Sequence, residues 1–146
     1  MNDRAVIEIT RTVREALKEL LKILQRERES IISFSLEGII QENNRKEEIL
    51  TKLEYLKSEK NKLFESVDNE DDLFKSDVWK SLTAETDHTM REIKTALQNN
   101  MKLLSFSIDY VKSSMDLYSW FYQQLQLRQE GGRKVFSSLK SDLKWR

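Results

Sequence analysis

At 146 residues the chain is long enough for one domain with a shared helical seam and short for an enzyme built around a deep cleft. It holds no proline, three glycines and 34% charged residues, so little interrupts a helix and the expected class is all-α. Its 25 basic residues balance 25 acidic ones and cysteine is absent, which argues against nucleic acid as a partner and excludes disulfides, thiolate catalysis and zinc–thiolate sites.

The chain opens on Met1-Asn2-Asp3-Arg4, charged at once and without the apolar core of a secretion signal. No apolar run approaches bilayer length, so a cytoplasmic protein without membrane insertion is expected. A first amphipathic helix is predicted over about 4–33, because Val6, Ile9, Val13, Leu17, Leu20, Leu21, Leu24 and Ile31 recur at three- and four-residue steps. The pattern slips between Ser33 and Gly38, where Ser35 is placed to cap a new helix. The second helix is predicted over about 36–66, with Ile39, Ile40, Ile49, Leu50, Leu53, Leu56, Leu63 and Phe64 on its apolar side. A short connection between two long amphipathic helices favours an antiparallel hairpin.

Asp68-Asn69-Glu70-Asp71-Asp72 repels itself and carries no apolar period, so 67–77 is expected to be an acidic linker. Its spacing fits no calcium loop. The third long helix, about 83–129, has two apolar stripes. One runs Met90, Ile93, Leu97, Met101, Leu104, Ile108, Val111, Met115, Tyr118, Tyr122, Leu125; the other is Leu103, Phe106, Tyr110, Leu117, Trp120. A helix packed on one hairpin needs one such side, so the surplus stripe implies a central position or a partner. Gly131-Gly132 closes the helix, leaving 133–146 as an amphipathic tail with Phe136 and Trp145. The expected organisation is one bundle domain over 1–132 and a flexible tail: a hairpin plus a third long helix, coiled-coil-like.

Chemistry finds few footholds. Glu85 and His88 have the Glu-x-x-His spacing of di-iron bundles, but His88 is the only histidine and no second copy exists. Met90-Arg91-Glu92 after His88 lacks the lysine-glycine pair expected beside a phospho-accepting histidine. With no phosphate loop and no nucleophile-base pair, neither an enzyme nor a cofactor nor a metal site is expected. Eight of the thirteen aromatic residues follow position 105, and Trp120, Phe121 and Tyr122 are consecutive. Three in a row point in different directions around a helix, which favours a protein partner for part of them.

Leu17, Leu20, Leu21, Leu24 and Glu29, then Ser35-Leu36-Glu37 at the break, then Lys46 before Ile49-Leu50 and Leu53, and finally Asn100, Leu103 and Leu104 follow one another in a recognisable order. That order resembles the FlgN family of flagellar type III export chaperones, with its leucine-rich helix, Gly-Asp-Leu-Glu-like break, lysine-bearing helix and Asn-x-x-Leu-Leu. Phe34-Ser35 stands where the family usually has Gly-Asp, and its C-terminal tyrosine-glycine pattern is reduced to Gly131-Gly132. The resemblance implies a cytoplasmic, non-enzymatic chaperone for hook–filament junction proteins, holding an amphipathic C-terminal client segment and delivering it to the flagellar export apparatus. Leu103, Phe106, Tyr110, Leu117, Trp120, Tyr122, Phe136 and Trp145 are the expected client-contacting residues. The competing expectation is a coiled-coil adaptor or homodimeric structural protein, with the second stripe as the dimer seam.

Overall fold

A computed structural model of the protein describes residues 2–67 and 70–128. Every regular element among the described residues is an α-helix: α1 (Asn2–Ile32), α2 (Leu36–Glu65), α3 (Glu70–Lys75) and α4 (Asp77–Arg128). The chain divides into two units, residues 1–103 and 104–146, with the boundary inside α4.

The α1–α2 turn follows from its hydrogen-bonding groups. The Ser35 amide donates to the Ser30 carbonyl at 2.8 Å and the Phe34 amide to the Ile31 carbonyl at 3.1 Å, the paired bonds of a Schellman ending. That ending needs a left-handed residue, and Phe34 occupies it at φ 55°, a conformation that glycine adopts without steric cost. Ser35 then caps α2, its hydroxyl accepting from the Gly38 amide at 3.1 Å. Gly38 leaves room for this turn: a Cβ there would stand 2.4 Å from the Ser30 hydroxyl and 3.0 Å from both the Ser30 Cβ and the capping Ser35 hydroxyl, so these side chains would have to shift.

In the first unit Ala16, Leu17, Leu20, Ile23 and Leu24 of α1 pack with Ile49 and Leu56 of α2 and Ile93 of α4. Burying one such leucine or isoleucine stabilises the fold by roughly 1.5–3 kcal/mol. Directions follow from the polar contacts. Only three residues join α1 to α2, and Arg26–Glu42 and Glu27–Lys46 pair at similar distances on either side of that turn, so α2 is antiparallel to α1; Arg14 pairs with Glu85 while Asn100 reaches Leu24, so α4 runs parallel to α1. On α2 the buried positions Glu42, Ile49 and Leu56 recur every seven residues. Ile40 and Leu50, expected on that apolar side, lie off this stripe and are exposed.

The segment 67–77 is not a featureless linker. It carries α3, whose Leu73 is buried, and α4 begins at Asp77 rather than near 83. Apolar anchoring and a cap account for this: the Phe64, Phe74 and Trp79 rings meet with centroids 5.7–6.2 Å apart, and the Ser76 hydroxyl accepts from the Trp79 amide at 3.1 Å. The Lys60 ammonium sits 5.6 Å from the Trp79 ring centroid, and burial there lowers its pKa.

Candidate functional site

The carboxylate and imidazole singled out on α4 do not act together. Glu85 accepts from Lys18 at 2.7 Å and Arg14 at 3.1 Å, and the Lys18 hydrogen bond, with Arg14 adding to it, holds its carboxyl below the usual range. His88 is exposed, with Nε2 3.0 Å from Glu92. Among the described residues no group of three or more His, Cys, Asp or Glu side chains converges as metal ligands. An open cleft of about 430 Å³ lies between α1 and α4 of the first unit; Leu21, Leu24 and Ala96 line it along with Arg28, His88 and Arg91.

The face that α4 buries in the first unit is not its most apolar one. Leu82, Thr89, Ile93 and Asn100 are buried, with Ala96 packed against the core. Met90, Leu97 and Met101, which were expected to share the core stripe with Ile93, are exposed. Polar bonds go with this choice. The Asn100 amide nitrogen donates to the Leu24 carbonyl at 2.8 Å and to Glu27 Oε1 at 3.0 Å, while Lys46 Nζ donates to Glu27 Oε2 at 2.6 Å. One buried carboxylate thus joins α1, α2 and α4, its charge met by a lysine and an amide. Sequence reasoning noticed Lys46 and Asn100 for their place in the family pattern and missed Glu27, whose only signal is a charged residue within the leucine stripe of α1.

Residues 104–128 of the second unit differ. None of their described side chains is buried, and exposure reaches 71% for Phe106, 66% for Leu117 and 56% for Trp120, with Tyr110 also exposed. At 3.6 residues per turn, Phe106, Tyr110 and Leu117 fall within about 40° of one another and Trp120 about 60° to one side. Phe121 belongs to the same face, four residues after Leu117, and is exposed too; the spacing was readable, but its neighbours in the aromatic triplet drew the choice. Tyr122 does not join them. It projects about 140° from Leu117, is half-buried, and its ring lies 5.4 Å from that of Tyr118. Leu103 is half-buried and belongs to the first unit. Phe136 and Trp145 lie outside the described residues.

Compared with known families, the chain matches the one described as FlgN protein over residues 1–119. The chain belongs to the FlgN family. The match takes in the whole first unit, with Glu27, Lys46 and Asn100, and continues through Phe106, Tyr110 and Leu117 to end just before Trp120. No curated protein and no solved structure matches it. Membership makes this a flagellar export chaperone, of a family known for chaperoning and not for catalysis, whose members bind flagellar hook-associated proteins as a class. No helix among the described residues is long and apolar enough to cross a membrane.

Proposed function

We propose that this FlgN-family chain is a cytoplasmic chaperone that captures the amphipathic C-terminal segment of hook–filament junction proteins on the face of α4 formed by Phe106, Tyr110, Leu117 and Trp120, with Phe121. The observation that carries the reading is the exposure of these large side chains along one side of a helix, where isolated exposed residues would need no explanation but five on one side do. Capture would follow helix-in-groove physics: client leucines and valines leave water against aromatic anchors and are held from premature assembly until export. Leu103, Tyr122, Phe136 and Trp145 are secondary contacts in this proposal, and delivery to the export apparatus is its final step.

A second reading uses the same exposure differently. In it the stripe of Phe106, Tyr110, Leu117 and Trp120 is the homodimer seam of a coiled-coil adaptor protein, and no client is needed to cover it.

Titration calorimetry with the C-terminal segment of a junction protein separates the two. The chaperone reading expects saturable binding to the wild-type chain and at least a tenfold weaker Kd for the Phe106→Ala, Trp120→Ala double variant at unchanged helicity. An obligate dimer by sedimentation that ignores the segment would favour the adaptor.

A further inference from the structure

Helix α4 turns a mixed face toward α1 while a better apolar stripe is left in water. The positions turned inward, Leu82, Thr89, Ile93 and Asn100 with the partly buried Ala96, include two polar side chains and a small one. Met90, Leu97 and Met101 stand roughly a quarter turn away around the same helix, and Met101 is 71% exposed. Hydrophobic burial alone would favour rotating that stripe inward, with Ile93 at the edge of either arrangement.

We infer that Glu27, Lys46 and Asn100 form a polar latch that selects the rotation of α4 and so keeps the Met90–Leu97–Met101 stripe on the surface. The latch works through the cost of the alternative. Rotating α4 by a quarter turn withdraws the Asn100 amide from Glu27 and from the Leu24 carbonyl, and brings Leu97 or Met101 against a buried carboxylate whose second oxygen is held by Lys46. A buried carboxylate stripped of one donor and faced with apolar carbon is strongly disfavoured. Glu85 acts in the same direction from the rim, since rotation also removes it from Lys18 and Arg14. A polar residue at one core position that fixes register and rotation at some expense of stability is an established device in helical assemblies. Here its product is the exposure of Met90, Leu97 and Met101.

The absence of cysteine makes a direct test available. Single cysteines are introduced as Met101→Cys and, separately, Thr89→Cys, in the otherwise wild-type chain and in a background carrying Glu27→Leu, Lys46→Leu and Asn100→Leu. A milder background, Glu27→Gln with Asn100→Ala, is labelled in parallel in case the triple change prevents folding. In the wild-type background Met101→Cys should react with a maleimide at least tenfold faster than Thr89→Cys. With the latch removed and far-UV helicity retained, that ratio should fall toward one or invert. An unchanged ratio in a folded background would overturn the inference, as would loss of helicity in both backgrounds, which would make the network a requirement for folding and not a selector of rotation.

Discussion

The two stretches of α4 on either side of residue 103 use their apolar residues in opposite ways. In 77–103 the helix hides Leu82, Thr89, Ile93 and Asn100 and commits itself to α1. In 104–128 it carries more large aromatic and aliphatic side chains and buries none of them among the described residues. Apolar content therefore does not locate the core here. What locates it is complementarity: Ala96 is small enough to admit the α1 surface, and Asn100 is matched by Glu27 and the Leu24 carbonyl.

The contrast can be broken by truncation. Leu24→Ala, at a site with no exposure, should destabilise the chain by about 2–5 kcal/mol in urea unfolding, since its cavity lies at the centre of the first-unit core. Trp120→Ala removes a larger side chain yet should change stability by about 0.5 kcal/mol or less, because it is already mostly in water. A comparable loss at both sites would mean that the two stretches are equally committed to a core.

A smaller effect sharpens the role of local strain in the first unit. Phe34→Gly should raise stability by about 0.5–1 kcal/mol in the same assay, because glycine relieves the left-handed strain that phenylalanine carries at φ 55°. The smallest effect is electrostatic. The folded-state pKa of Glu85 is lowered, chiefly by the Lys18 hydrogen bond, so the folded chain takes up its proton less readily than the unfolded one. Its contribution is complete above the ordinary carboxylate range and is lost as pH falls through the lowered folded value. Glu85→Gln should flatten that part of the stability–pH curve, and added salt should shrink the difference because the pair is solvent-accessible.

Much of this was legible in the sequence. Leucine spacing in α1, the absence of proline and the Ser35 cap sufficed for an all-α chain with a hairpin at residues 33–35, because period and capping are local properties. Which side of α4 faces the core was not legible, because Met90, Leu97 and Met101 are more apolar than Thr89, Ala96 and Asn100, and the deciding bonds join residues more than 70 positions apart. α3 was hidden for a related reason: the acidic run masks Leu73 and Phe74, whose role depends on Phe64 and Trp79. That Phe106, Tyr110 and Leu117 share one side of α4 and are exposed there was readable from spacing alone. Tyr122 was grouped with them by its aromatic character, although its angular position sets it on another side.

Hydrogen exchange of the full chain, with and without a junction-protein C-terminal segment, distinguishes capture on the exposed stretch of α4 from capture on the hairpin. Capture on α4 should add protection concentrated in residues 104–128, with at least tenfold slower exchange there and little change in α1 and α2. Protection gained in α1 and α2, with 104–128 unchanged at saturating segment, would contradict it.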